Sequence, residues 1–107
     1  MNYSELNEDG ILIVLLKISD DQYLLWQSST LEVDNSEVYF EFNDQLSGGY
    51  NNIKEITLMR DGIHLVMKNN CLEHFYFDKK FDDYSALASG LKKIYKNNLK
   101  NLDILDL

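Results

Sequence analysis

Proline is absent from this chain of 107 residues, and cysteine occurs once, at Cys71. Without proline there is no proline-rich linker or polyproline ligand segment. A single thiol allows no intramolecular disulfide, which suits a reducing compartment. Within a strand pattern Cys71 reads as a small packing residue rather than a nucleophile. Long apolar runs are missing as well. Ile11–Leu16 is six residues, against about 20 needed to span a bilayer. Met1–Gly10 carries acids where a secretory leader needs cations. A cytoplasmic location with no membrane contact is therefore expected.

Cations are scarce in one half. Residues 1–53 hold ten carboxylates and one cation, Lys17, for a net charge of −9. Residues 54–107 hold eight acids and nine Lys/Arg, for a net of +1. A one-sided negative field repels nucleic acid and anionic lipid and attracts basic proteins. Lys92, Lys93, Lys96 and Lys100 cluster at one place, but Asp103 and Asp106 balance them, and they read as a solvated helix face.

Catalytic motifs are also missing. Gly48-Gly49 lacks the flanking glycines and the Lys-Ser/Thr of a phosphate loop. There is no CxxC and no histidine pair at ligand spacing along the chain, so neither a cofactor nor a metal is expected. The histidines are His64 and His74. The strand register read below sets them on opposite faces of a sheet, which argues against a shared metal and against a convergent catalytic site.

What remains is a chain long enough for one domain, residues 1–107, that removes roughly 65% of its unfolded surface from water. The apolar run Ile11–Ile18 predicts a central strand buried on both faces, turning at Ser19–Gln22 into a second strand, Tyr23–Ser28. Ser29–Ser36 reads as a polar loop. Glu37–Asn43 alternates: Val38, Phe40 and Phe42 point one way, Glu37, Tyr39 and Glu41 the other. Asp44–Asn52 reads as a long turn. Three further strands are predicted at Ile53–Arg60, Ile63–Lys68 and Cys71–Asp78, joined by two-residue turns at Asp61-Gly62 and Asn69-Asn70. These turns place Ile56, Leu58, Ile63, Leu65, Met67, Leu72 and His74 on one apolar face. Phe75 and Phe77 then fall on the wrong face, which calls for a bulge near Glu73 or a second layer covering that end.

Tyr84, Leu87, Ala88, Leu91, Ile94 and Tyr95 follow helical spacing, with Asp82 or Asp83 as cap and lysines toward the C-terminal end. Gly90 is out of place in such a helix. Asn101–Leu107 extends it or docks as an apolar strip. The expected fold is α+β: a mostly antiparallel, twisted sheet of about six strands with a C-terminal helix packed on one face.

Aromatic anchors with a charged rim are typical of protein interfaces. Tyr39 between Glu37 and Glu41, and Tyr50 beside Gly48-Gly49, fit that description, whereas Trp26 reads as core. The candidate contacts are Asp20, Asp21, Glu32, Asp34, Glu37, Tyr39 and Glu41.

Glu37-Val-Tyr-Phe-Glu-Phe-Asn-Asp-Gln45, then Ser47-Gly-Gly-Tyr50, then Ile53-Lys-Glu-Ile-Thr-Leu-Met-Arg60 resembles small immunity proteins of bacterial polymorphic-toxin and contact-dependent growth inhibition systems. The similarity covers roughly residues 37–68. It implies a cytoplasmic antidote that binds and neutralises the C-terminal domain of a cognate secreted toxin. Many such toxins are nucleases with basic clefts, which an acidic half complements. The alternatives are a small enzyme using a histidine and carboxylates, an adaptor or nucleic-acid mimic that inhibits a host factor, and a structural subunit of a secretion system.

Overall fold

Two antiparallel systems, not one sheet, organise the chain. The computed structural model describes residues 1–30 and 37–105. Among these, nine strands form two sheets. The first runs β1 (Asn2–Glu8), β2 (Ile11–Lys17), β3 (Tyr23–Ser29), β4 (Val38–Phe42) and β5 (Asp44–Tyr50) in that spatial order. In the second the order is β8 (Leu72–Tyr76), β7 (Gly62–Met67), β6 (Ile53–Met59) and β9 (Leu102–Ile104). Pairing is antiparallel throughout except for β9, which lies parallel to β6. The helix α1 (Tyr84–Ile94) contacts β1, β2 and β3 of one sheet and β9 of the other. The fold is thus α+β and mostly antiparallel, as expected. The expected single sheet of about six strands is replaced by two sheets.

Three strands escaped the sequence reading. β1 pairs with β2 through a two-residue turn at Asp9-Gly10, both with positive φ, 54° and 78°. Asp-Gly suits such a turn because neither residue pays much for left-handed backbone. β5 occupies the supposed long turn at 44–52, held by Asn43 at φ 62° and by Ser47, whose Oγ accepts from Phe42 N–H at 2.9 Å. The chain crosses between sheets at Asn51-Asn52. Val38 N–H donates to Asn51 Oδ1 at 3.0 Å, and Asn52 Nδ2 donates to the Phe40 carbonyl at 3.1 Å. The apolar tail after the helix docks as β9, pairing Leu102 with Ile56 and Ile104 with Leu58.

Turn geometry decides which face each side chain occupies. Met59 pairs with Gly62, so the turn is Arg60-Asp61, one residue earlier than read. Gly62 lies in the strand, where an added Cβ would come within 2.7 Å of the Phe75 carbonyl. Moving the turn by one residue shifts the register by two and keeps the faces. The next turn does not. Val66 pairs with Leu72 and Met67 N–H donates to the Cys71 carbonyl, so three residues, Lys68–Asn70, form the loop. Asn70 takes φ 69° to close it, as three-residue hairpin loops require. One extra residue turns β8 over. Phe75 enters the core at 7% exposure, and Leu72 goes out at 62%. No bulge at Glu73 is needed.

One cluster joins the layers: Leu12, Val14, Leu16, Leu24, Trp26 and Phe40 from the first sheet, Ile56, Leu58, Ile63 and Leu65 from the second, and Leu87, Leu91 and Ile94 from the helix. Trp26 packs on Phe40 with ring centroids 5.0 Å apart, so it is a core residue. Asp83 occupies the helix cap position, but its side chain makes no cap hydrogen bond. Gly90 lets the helix approach the sheet, since a Cβ there would collide with the Tyr3 hydroxyl and press on Val14 Cγ2 at 3.1 Å. Lys93 on the helix pairs with Glu5 on β1 at 3.0 Å.

Candidate protein-binding face

Alternation along β2 sends Leu12, Val14 and Leu16 into the core and Ile11, Ile13 and Leu15 to the opposite face. The helix and second sheet cover only the inner face. Among the described residues, no helix or strand lies over the outer one. The expectation that β2 is buried on both faces is therefore corrected. With one helix available, a doubly apolar strand leaves one side uncovered.

The registers arrange the outer face in rows across the sheet. Leu6, Ile13, Gln27, Tyr39 and Tyr50 form one row; Ser4, Leu15, Leu25 and Glu41 form the next. Leu6 is 50% exposed and Tyr50 63%, while Ile13, Leu15, Leu25 and Tyr39 are half-buried. Tyr39 and Tyr50 meet edge to face at 5.3 Å. Beside them lies a depression of about 400 Å³ lined by Leu15, Lys17, Asp20, Tyr23, Leu25 and Glu41.

Glu41 points to this face yet is only 8% exposed. The register slips between Phe40 and Phe42 as β5 swings away, which leaves room for its carboxylate beneath two tyrosines. Tyr39 Oη donates to Glu41 Oε1 at 2.8 Å, and Tyr23 Oη donates to Oε2. Glu41 thus braces the aromatic end of the face rather than standing free as a contact. Replacing Glu41 with Ala should lower stability, because two phenol donors lose their shared acceptor and the packed aromatic end loosens, measurable by urea unfolding. A loss within error of zero would mean that water replaces the carboxylate without penalty.

The same bonds hold phenol protons in place. Donation to Glu41 pushes Tyr23 up to about 12 and raises Tyr39 as well. Elsewhere, burial raises Tyr95, and burial with the Glu5 contact raises Tyr3. Between the ordinary value of about 10 and the raised one, the unfolded chain loses a proton that the folded chain keeps. This contribution is therefore complete below about pH 10 and disappears as pH rises through the folded value. Phenolate absorbance should show a group of late-titrating tyrosines, and Glu41→Gln should move Tyr23 and Tyr39 back toward ordinary behaviour. An unchanged titration curve in that variant would contradict the assignment.

Exposed acids stand at both ends of the face. Glu8, Asp9 and Glu37 lie at the end of the β1–β2 turn, and Asp20, Asp21 and Asp44 at the other. Of the residues expected as contacts, Tyr39 and Glu41 lie in the face, and Asp20, Asp21 and Glu37 on its rim. Glu32 and Asp34 fall outside the described residues. The reading missed the aliphatic centre, Leu6, Ile11, Ile13, Leu15 and Leu25. The signal for it in the sequence is the unbroken apolar run of β2, which burial on both faces would equally explain.

The histidines also need correcting. Because β8 is turned over, His64 and His74 are direct cross-strand neighbours on one face, not on opposite faces. Their Nδ1 atoms are 2.7 Å apart. Among the described residues no three or more His, Cys, Asp or Glu gather as a metal cluster, and no helix is long and apolar enough to cross a membrane.

No family model, curated protein or solved structure matches this chain.

Proposed function

We propose that this protein is an immunity protein: it captures a basic toxin domain on the outer face of the first sheet and neutralises it. The observation that carries the reading is an uncovered aliphatic and tyrosine surface, set in a half of the chain with net charge −9. Apolar surface of this kind is costly to leave in water unless a partner covers it. The acids at both ends select a partner of opposite charge and speed its approach, and a nuclease with a basic cleft fits that description. Binding requires no catalytic group or cofactor, and the complex forms in the cytoplasm, where the toxin acts.

The experiment is co-expression with the product of the neighbouring reading frame, which the immunity reading requires to be a toxin domain. A stable complex on gel filtration, together with restored growth of the toxin-expressing cell, is expected. A neighbour that is not bound, and whose toxicity is not relieved, defeats the immunity reading.

A further inference from the structure

The cross-strand pair His64–His74 belongs to the second sheet and plays no part in the docking face. His64 is half-buried and His74 exposed, both on the solvent side of β7 and β8. Their ring planes are perpendicular, at 89°, with centroids 4.3 Å apart. We infer that the two Nδ1 atoms chelate one divalent transition-metal ion of the class that favours imidazole, such as zinc, nickel or copper.

At 2.7 Å one Nδ1–H donates to the lone pair of the other. Moving that proton to Nε2 of the same ring changes no net charge and frees the second lone pair. Both lone pairs then face one shared point. Metal–nitrogen bonds of about 2.0–2.1 Å place two ligand nitrogens about 2.9 Å apart at a right angle and about 3.4 Å apart at the tetrahedral angle. The pair therefore has to open by a few tenths of an ångström, which small ring rotations supply.

The backbone beneath is already fixed. β7 is paired on both sides, by β6 and β8, and Ile63, Leu65 and Phe75 anchor the other face in the core. No ordering of chain is needed to bring the ligands together. The neighbouring residue across from His64 on β6 is Thr57, and Asp103 follows on β9, two strands from His64. At about 4.8 Å per strand that carboxylate is too distant to coordinate. Water completes the shell.

The test uses the full-length chain without a histidine tag, titrated calorimetrically with zinc and separately with nickel. One ion per chain is expected, with no uptake of magnesium, which prefers oxygen ligands. His64→Ala and His74→Ala should each weaken binding at least about tenfold, because each leaves a single imidazole. Cys71→Ser should bind like the parent; loss of binding there would move the site to the thiol and overturn the proposal. In the unmodified chain, zinc should shift the imidazole nitrogen resonances of both histidines together. If neither resonance moves, or the double variant takes up the ion as the parent does, the proposal is wrong.

Discussion

Phe75→Ala should destabilise the fold by about 3–5 kcal/mol, whereas Leu72→Ala should stay within about 0.5 kcal/mol of the parent. The two residues sit three apart on the same strand, and a two-residue turn at Asn69-Asn70 would exchange their fates. With the three-residue loop Lys68–Asn70, Phe75 lies opposite Ile63 and is 7% exposed, edge to face with Phe42 at 6.1 Å. Removing the ring takes away an apolar contact between the sheets and leaves a cavity that β7, paired on both sides, cannot collapse to fill. Leu72 is 62% exposed and has little burial to lose. Leu65, at 1% exposure, should behave like a core leucine in either register, losing about 2–5 kcal/mol on truncation to Ala. Urea denaturation of the three variants measures the difference. If Leu72→Ala proves the costly change and Phe75→Ala the mild one, the register of β8 is that of the shorter turn.

The second large effect concerns the partner. Leu15→Glu sets a carboxylate at the centre of the outer face, between Ser4 and Leu25 in its row. In the free protein Leu15 is half-buried on an open face, so the longer Glu side chain reaches water with its carboxylate and the stability loss should be smaller than for a core substitution. In a complex with the toxin domain the same carboxylate is desolvated without a partner, and binding should weaken at least about a hundredfold, roughly 2.8 kcal/mol. Tyr39→Ala should act mainly on dissociation, since it removes an aromatic anchor packed on Tyr50. Charge reversal at Asp20, Asp21 and Glu37 should act mainly on association, and its effect should fade as salt shortens the Debye length below about 8 Å. Leu72→Glu, a change at an exposed position on the second sheet, is the control and should leave binding untouched. Kinetics at two salt concentrations separate these terms. Equal binding by the Leu15→Glu variant and the parent would remove the outer face from the interface.

Much of this architecture was legible in residue order because it depends on local periodicity. Alternation in 37–43 sorted Val38 and Phe40 from Tyr39 and Glu41, since successive side chains on a strand must point to opposite faces. Helical spacing from Tyr84 to Tyr95 identified the helix and its buried stripe for the same reason. The charge division is a property of composition that folding does not alter. Asp9-Gly10 carried a hairpin signal that marks β1, although an acidic, polar strand offers no apolar alternation to support it.

Other features depend on contacts between distant segments. Asn69-Asn70 fits a loop of two residues or of three, and the choice rests on whether Phe75 or Leu72 has a core to enter. That core is built from the first sheet and the helix, so turn chemistry could not settle it. The approach of His64 to His74 follows from the same choice. Glu41 became a brace rather than a surface charge because β5 bulges away from β4 and two tyrosines from different strands close over it. Apolar residues on both faces of β2 state only that both would gain by leaving water. Which face the protein covers with its own layers, and which it leaves open, was set by where the second sheet and α1 came to rest.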